Sequence, residues 1–247
     1  MDGVLVITGG GRGIGRATAL KAAAAGYRVV VNYVSDAAAA ESVVELITAA
    51  GGTAVAVKGD VASEADVIHL FTEADKLGPL AGLINNAGIV DRAAPLVDMS
   101  VERITRMMMV NVVGSLVAAR EAVRRMSTRF GGRGGVIVNV SSRAAALGGP
   151  NQYIDYAAAK GAIDSFTRGL ALEVADQGIR VSGVRPGIID TDIHASGGDP
   201  GRVARMRSML PMGREGSADE VADAILWLIS DKASYVTGTT IDVSGGR

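Results

Sequence analysis

The chain has 247 residues, of which 33 are glycine, 48% are hydrophobic and none is cysteine. This apolar content excludes an intrinsically disordered chain, and the lack of cysteine excludes disulfide bonds and cysteine-ligated zinc or iron–sulfur sites. A formal net charge of −1 provides no long-range field for nucleic acid, so we expect no nucleic-acid partner. The two histidines, His69 and His194, are too few for a three-histidine site, and we predict no metal.

Hydrophobic runs in this sequence are short. The longest, Met107–Ala119, is interrupted by polar and glycine residues and falls short of the roughly 20 residues that span a bilayer. Met1–Thr8 resembles a short strand that ends in glycines rather than a secretory signal. We therefore expect a soluble, cytoplasmic protein with no membrane partner, folded as a single domain over residues 1–247.

Short β-rich runs alternate with longer amphipathic stretches along the chain. In chain order, the predicted elements are strand Val4–Ile7, helix Ile14–Ala25, strand Arg28–Val31, helix Ala37–Ala50, strand Ala54–Val57, helix Glu64–Lys76, strand Leu83–Ile84, helix Val101–Ser127, strand Val136–Val140, helix Ile154–Ala175, strand Arg180–Val184, helix Ser217–Ser230 and strand Ile241–Val243. This alternation predicts an α/β protein: a Rossmann-type, doubly wound parallel sheet of about seven strands with helices on both faces.

One long stretch, Ile193–Gly216, has no clear strand or helix pattern. Loops of this length inside a compact domain are usually functional, so we predict that it forms a substrate lid. Its apolar side chains would form an adaptable wall of the substrate pocket or, equally, the core of a short helix. These side chains are Met206, Met209, Leu210 and Met212.

Arginines concentrate in two places. Arg202, Arg205 and Arg207 lie in the predicted lid, where they either meet an anionic substrate such as an acyl carrier or face water. The second group lies on a predicted helix and the loop after it, as a solvated surface or a docking patch for an acidic partner. Its members are Arg120, Arg124, Arg125, Arg129 and Arg133.

A glycine-rich turn joins the first predicted strand to the first predicted helix, and it reads TGGGRGIG over residues 8–15. Glycines there permit a tight turn against a pyrophosphate, and the helix start offers free N–H donors and a positive dipole end. A P-loop nucleotide triphosphatase is disfavoured, because Arg16 and Ala17 stand where Lys and Ser or Thr are needed. We therefore expect a nucleotide to bind through its phosphates at this turn.

Tyr156 and Lys160 lie four residues apart on a predicted helix, which places them on one face about 5–6 Å apart. An ammonium beside a phenol is expected to lower the tyrosine pKa from about 10 and so make the tyrosine a usable proton donor and acceptor. Ser141-Ser142 and Asn85-Asn86 follow predicted strands at the sheet edge where such folds bind ligands. Asn111 lies in an apolar helical run, where a buried amide must find hydrogen-bond partners.

Taken together, these motifs resemble the short-chain dehydrogenase/reductase family over essentially the whole chain. The distance from Ser142 to Tyr156 is one residue longer than is commonest in that family, and we expect the extra residue to loop out near Gly148-Gly149-Pro150. The matching pieces occur in the family's order and spacing: TGGGRGIG (8–15), Asp60-Val61, NNAG (85–88), Asn111, Ser141-Ser142, YAAAK (156–160), Pro186-Gly187 and Thr191.

The resemblance implies an NAD(P)-dependent enzyme that moves hydride between the cofactor and a carbonyl or secondary alcohol. Tyr156 would be the general acid/base, while Lys160 would depress its pKa and hold the nicotinamide ribose. Ser142 would hydrogen-bond the substrate oxygen, and Asn111 would fix a water that links Lys160 to solvent. The implied cofactor-binding residues are Gly9, Arg12, Gly13, Ile14, Gly15, Asn32, Asp60, Val61, Asn86, Ala87, Gly88, Tyr156, Lys160, Pro186, Gly187, Ile189 and Thr191.

The choice between the two nicotinamide cofactors depends on the residues after the second strand. NAD enzymes place an acidic residue there, which binds the ribose 2′-hydroxyl and repels a 2′-phosphate. In this chain no acid occurs until Asp36, and Arg12 resembles the basic residue with which family members meet the 2′-phosphate. We therefore expect NADP(H), with NAD(H) as the alternative.

Two other classes of function stay open at this point. A non-catalytic NAD(P)-binding sensor would share the fold, although it would not need an intact set of Tyr156, Lys160 and Ser142. An S-adenosylmethionine methyltransferase also uses a glycine turn but commonly has an acid after its second strand. By resemblance we expect a homotetramer built on the helices Val101–Ser127 and Ile154–Ala175, acting on a 3-oxoacyl thioester, a sugar, or a small ketone or quinone.

Overall fold

Seven parallel strands form one sheet in the computed structural model, which describes residues 3–191, 193 and 197–247. The strand order is β3-β2-β1-β4-β5-β6-β7. The strands are β1 Val4–Ile7, β2 Arg28–Tyr33, β3 Ala54–Lys58, β4 Leu80–Asn85, β5 Gly135–Val140, β6 Ile179–Pro186 and β7 Thr240–Val243. The predicted Rossmann-type fold is confirmed.

Helices cover both faces of this sheet. They are α1 Gly13–Ala24, α2 Ala37–Ala49, α3 Glu64–Leu77, α4 Val101–Met108, α5 Gly114–Met126, α6 Ala144–Leu147, α7 Ile154–Val174, α8 Arg202–Met206 and α9 Ala218–Ile229. Within the described part of the chain, no helix has both the length and the apolar character to cross a bilayer.

The inner strands of the sheet bury both of their faces, which explains why they are continuous apolar runs rather than alternating ones. All four residues of β1 are buried. One core packs α1, α2 and α9 against the sheet and includes Ile7, Ile47 and Ile225. The other packs α3, α5 and α7 against the opposite face and includes Phe71.

The order of the strands determines where a ligand-binding crevice lies. The chain runs outward through β1, β2 and β3 and then crosses back to β4 on the other side of β1. A crevice forms where the order reverses, outside the carboxyl ends of β1 and β4. The glycine turn after β1 therefore lies beside the NNAG segment after β4.

Three elements differ from the sequence prediction. The predicted helix Val101–Ser127 is divided into α4 and α5 by a π-helical turn over Met109–Val113, which contains Asn111. The strand predicted over Leu83–Ile84 extends over all of β4, because pairing with β1 and β5 recruits residues of poor strand propensity such as Gly82. The helix α6 was not predicted.

The predicted lid, Ile193–Gly216, contains α8 and a short 3₁₀ turn over Arg207–Met209. Its residues 194–196, and with them His194, lie outside the described residues. Met209 and Met212 are 67% and 62% exposed, and only Leu210 of the predicted apolar wall is buried. Neither of these two side chains lines the cavity described next, so the expected wall of methionines is wrong for them.

Candidate active site

A cavity of about 820 Å³ opens at the carboxyl ends of the central strands. Its walls come from the glycine turn after β1 and from the segments that follow β2, β4, β5 and β6. Of the residues predicted to bind the cofactor, all but Gly15 line it. This volume lies in the range of small-molecule and cofactor sites.

The glycine turn has a backbone that fits a phosphate group. Gly13 opens α1 with a φ of 52°, a conformation that favours glycine. A Cβ on Gly15 would lie 2.4 Å from the Gly9 carbonyl oxygen, so Gly15 permits the close packing of the turn. Arg12 precedes α1 without capping it through its side chain, and the first turn of α1 carries no acid. Because the helix start is left uncapped beside the cavity, it suits the pyrophosphate of a dinucleotide.

Polar side chains from neighbouring strands hold the turn in place. The Asn86 side-chain amide donates to the carbonyl oxygens of Thr8 and Gly9, at 2.9 and 3.0 Å. The Gly9 N–H donates to Asn32 Oδ1 at 3.2 Å, and Asn32 Nδ2 donates to the Gly59 carbonyl at 2.8 Å. Asn32 and Asn86 line the cavity, and these hydrogen bonds connect their side chains to the protein backbone.

Tyr156 and Ser142 meet in the cavity wall. Tyr156 lies on the first turn of α7 and Ser142 just after β5, and the Ser142 hydroxyl is close enough to the phenol to influence its pKa. The Ser141 hydroxyl instead donates to the Lys160 carbonyl oxygen at 3.2 Å and is buried. Of the two adjacent serines, Ser142 therefore lies beside the Tyr156 phenol, whereas Ser141 packs against the backbone of α7.

Lys160 is buried behind Tyr156. Its Nζ donates to the Val140 carbonyl oxygen at 2.8 Å and lies 5.7 Å from the centre of the Tyr156 ring. Burial lowers the pKa of Lys160 to about 8, against the opposing effect of the negative charge of Asp164. Lys160 is therefore mostly charged at pH 7.

The expected lowering of the Tyr156 pKa is wrong. Burial raises the pKa of Tyr156 above its ordinary value near 10, and the neighbouring Ser142 hydroxyl only partly offsets this. The physical reason is desolvation: a phenolate loses its hydration in a buried position, and the ammonium of Lys160 is directed at the Val140 carbonyl. At neutral pH Tyr156 is consequently a phenol with a proton to donate.

Asn111 lies behind the cavity rather than in its wall. Its side chain is fully buried, with Nδ2 donating to the Ile89 and Met107 carbonyls at 3.1 Å each and Oδ1 accepting from the Ile89 N–H at 3.1 Å. A Cβ on Gly88 would lie 2.7 Å from Asn111 Oδ1 and 3.5 Å from Lys160 Nζ. The π-helical turn therefore uses Asn111 to clamp the chain after β4, close to Lys160.

The end of β2 and the segment after it form a further part of the lining, at the stretch that the sequence analysis used only to choose the cofactor. Tyr33, Val34, Ser35 and Asp36 line the cavity, as does Arg12. Asp36 caps α2, with its carboxylate accepting from the Ala39 N–H at 3.0 Å. Position alone could have identified these residues, because they follow a strand at the binding edge.

Comparison with known proteins identifies the family of the chain. A sequence model described as enoyl-(acyl carrier protein) reductase, from the short-chain dehydrogenase/reductase family, matches residues 9–247. The chain belongs to this family.

Relatives within the short-chain dehydrogenase/reductase family match along nearly their full lengths. The uncharacterized oxidoreductase YgfF of Escherichia coli is 55% identical over 99% of both chains. The 3beta-hydroxysteroid dehydrogenase 1 of Eggerthella lenta is 41% identical over 98% of this chain and 92% of its own. A crystal structure of a dehydrogenase/reductase from Sinorhizobium meliloti 1021 superposes with a TM-score of 0.91 at 33% identity, covering 99% of this chain and 94% of that one.

The far wall of the cavity, beyond Tyr156, was missed by the family motifs. Gln152 and Tyr153 could have been found from their position one turn ahead of Tyr156, but Arg247 carries no sequence signal. The extra length between Ser142 and Tyr156 is taken up by α6 and by Gly148 and Gly149, both with positive φ. Residues of this wall include Leu147, Gln152, Tyr153, Ile193, Arg202 and Arg247.

Proposed function

We propose that this protein, an oxidoreductase of the short-chain dehydrogenase/reductase family, interconverts a carbonyl compound and a secondary alcohol with NADP(H), using Tyr156 as the general acid/base. The observation that carries the proposal is that Tyr156 and Ser142 line the same cavity as the glycine turn. A phenol and a hydroxyl that face one cavity can both reach one substrate oxygen.

When bound, a nicotinamide dinucleotide supplies or accepts the hydride. The chain's own part begins with the Tyr156 phenol, which donates its proton to the carbonyl oxygen as negative charge develops there. The Ser142 hydroxyl donates a hydrogen bond to the same oxygen and so orients it. The buried charge of Lys160 stabilises the phenolate that remains after proton donation.

At neutral pH Tyr156 is in the protonated form that reduction of a carbonyl requires. The pKa of Tyr156 is raised by burial, so the phenol form needed for reduction dominates. Oxidation of an alcohol requires the phenolate as a base, and its rate should therefore rise as the pH increases above neutrality.

The proposed preference for NADP(H) is supported by the surroundings of Arg12. Arg12 is exposed, lines the cavity and has no carboxylate partner among the described residues. Asp36, the nearest acid after β2, accepts a hydrogen bond from the backbone of α2. The guanidinium there has no carboxylate partner among the residues that the structure describes, so its N–H donors are free to form paired hydrogen bonds with the oxygens of a 2′-phosphate.

We further propose that Ile193–Gly216 acts as a substrate lid and that the protein is a homotetramer. Ile193 and Arg202 carry the lid to the cavity wall. For the tetramer, the outer faces of α5 and α7 retain exposed apolar side chains, with Leu116 39% and Leu172 75% exposed. Gly161 on α7 has open space where a Cβ would stand, which allows a second helix to approach closely.

Replacing Tyr156 by Phe tests the proposed reaction, because the change removes only the hydroxyl. Turnover should fall by a factor of about 10² to 10⁴, the usual contribution of general acid catalysis. NADP(H) binding, measured by calorimetry, should survive. The matched control is Tyr235→Phe, at a fully exposed tyrosine, which should keep its activity.

Retained turnover in Tyr156→Phe would contradict the proposed role of the tyrosine. A non-catalytic sensor gives a different pattern, in which the unaltered protein binds the dinucleotide yet turns over no carbonyl or alcohol.

A further inference from the structure

We propose that the substrate carries an oxyanion, a carboxylate or phosphate remote from its carbonyl, and that Arg202 and Arg247 bind this group at the far wall of the cavity. This inference rests on the proposed function, because it assigns a substrate class to the same cavity.

The three arginines of the lid have different partners. Arg205 is ion-paired with Asp199, and Arg207 with Glu215. Neither of these two lines the cavity, whereas Arg202 does. The charges of Arg205 and Arg207 are therefore neutralised within the lid, and Arg202 is the one of these three arginines that presents its charge to the cavity.

Arg202 is held in place by neutral groups. Its Nη1 donates to Gln152 Oε1 at 2.9 Å, and its guanidinium carbon lies 4.8 Å from the centre of the Tyr153 ring. Among the described residues, no carboxylate lies within ion-pair distance of Arg202. An amide and an aromatic face orient a guanidinium without neutralising it, and donors stay free for an anion.

The contacts of Arg202 place its charge on the substrate side of the cavity. Gln152 and Tyr153 directly precede α7 and lie about one helical turn ahead of Tyr156. Arg12 and the glycine turn belong to other elements of the lining, the segments after β1 and β2, and no hydrogen bond or ring contact between described residues joins them to Arg202. An anion on Arg202 would thus belong to the molecule whose carbonyl faces Tyr156 and not to the dinucleotide phosphates.

Arg247 adds a second positive charge in the same wall. It is half-buried and lines the cavity, and in the described part of the chain it too lacks a carboxylate partner. Burial lowers the pKa of Arg247, and the neighbouring charge of Arg202 lowers it further. The two neighbouring guanidinium charges repel each other, and a bound oxyanion relieves that repulsion.

The chain around Arg247 is docked onto the lid. The Met212 N–H donates to the Gly245 carbonyl oxygen at 3.2 Å, and a Cβ on Gly246 would lie 3.1 Å from Pro211 Cβ. Because the residues before Arg247 pack on the segment after α8, the lid and the end of the chain would bring both arginines to the anion together.

Keto acids and their methyl esters provide the test, since the two members of each pair differ mainly in charge. We would compare 4-oxopentanoate and 9-oxodecanoate with their methyl esters, using the unaltered enzyme with NADPH. The ratio of kcat/KM for acid over ester should exceed about tenfold for one chain length, as expected for charge-assisted hydrogen bonds. Arg202→Ala and Arg247→Ala should each reduce that ratio several-fold through a higher KM for the acid.

The matched control is Arg205→Ala, which removes a lid arginine that is paired with Asp199 and does not line the cavity. It should leave the acid-to-ester ratio unchanged. A ratio near one in the unaltered enzyme, or equal ratios in the unaltered and Arg202→Ala enzymes, would overturn the inference while the proposed oxidoreductase function stood.

A binding measurement separates the two proposals if no carbonyl compound is turned over. Calorimetric titration of 9-oxodecanoate into the dinucleotide-loaded protein should give binding that Arg202→Ala weakens about tenfold and Arg205→Ala does not. That result without turnover would sink the proposed reaction and support the anion site. Absent binding, or equal binding in Arg202→Ala and the unaltered protein, would overturn the anion site.

Discussion

At the scale of single residues, Lys160 depends on its neighbours to keep its charge. Burial lowers its pKa from 10.5 to about 8, and the charge of Asp164 opposes this effect. Asp164 is one helical turn further along α7 and is itself paired with Arg185 at 2.8 Å. The charged form of Lys160 is therefore present below about pH 8 and is lost as the pH rises through that value.

Asp164→Asn should move the alkaline fall in activity to lower pH. The change removes the negative charge that raises the pKa of Lys160, so the ammonium loses its proton earlier as the pH increases. The measurement is kcat/KM for reduction as a function of pH. Asp176→Asn, which breaks an exposed pair with Arg129, is the control and should leave the profile in place. An alkaline limb that does not move in Asp164→Asn would contradict the assignment.

The preference between the cofactors is also a property of one side chain. Arg12→Ala should reduce kcat/KM with NADPH by about tenfold and change the value with NADH much less, because only NADPH carries the 2′-phosphate. Arg16→Ala provides the control, since Arg16 is an exposed arginine in the first turn of α1, four residues after Arg12, and does not line the cavity. If Arg12→Ala and Arg16→Ala have the same cofactor ratio, Arg12 has no part in the choice.

At the scale of elements, an ion pair fixes the start of α7, which carries Tyr156. Arg103 of α4 donates through Nε to Asp155 Oδ2 at 2.8 Å and through Nη1 to the Arg92 carbonyl at 2.7 Å. Asp155 also accepts from the Tyr156 N–H at 2.9 Å. The pair thereby ties α4, the chain after β4 and α7 together.

Arg103→Met should destabilise the protein by about 3–5 kcal/mol, because it leaves the carboxylate of Asp155 buried without its cation. The double variant Arg103→Met/Asp155→Asn should recover part of this loss, since the amide carries no charge. Urea unfolding measures both values. Arg129→Met, in an exposed pair, should cost no more than about 1 kcal/mol. If Arg103→Met and Arg129→Met lower the free energy of unfolding equally, the buried pair contributes no more to stability than an exposed one.

The arginines of α5 illustrate how packing decides between two readings of one pattern. Arg120 pairs with Glu64, and Arg125 pairs with Asp75 and Glu121. Arg124 also reaches Glu121, whose side chain is only 6% exposed. These arginines tie α5 to α3 rather than standing as an unpaired basic patch, so nothing in their surroundings calls for an acidic partner.

At the scale of the whole molecule, the proposed tetramer should be sensitive to charge on the outer face of α7. Leu172→Glu places a carboxylate at a position that the proposed assembly would bury, and burying that charge is costly. Light scattering should then report a mass below that of the unaltered tetramer. Ile68→Glu, at an exposed position of α3, should not change the mass. A monomeric mass for the unaltered protein would contradict the assembly.

Patterns that are local in the sequence determined the fold class and the centre of the site. Buried parallel strands need continuous apolar runs, and a phosphate turn needs glycines ahead of a helix, so both can be seen without a structure. The four-residue spacing of Tyr156 and Lys160 likewise follows from helical periodicity alone.

Tertiary structure alone decided the electrostatics of the site, because burial and charge partners come from segments far apart in the sequence. Nothing local indicates that desolvation of Tyr156 outweighs its neighbours and raises its pKa. Nor does the sequence separate Arg202 from Arg205, since their difference lies in what the folded lid places beside each of them. A side chain's type is written in the sequence, but its hydration and its partners exist only once the chain has packed.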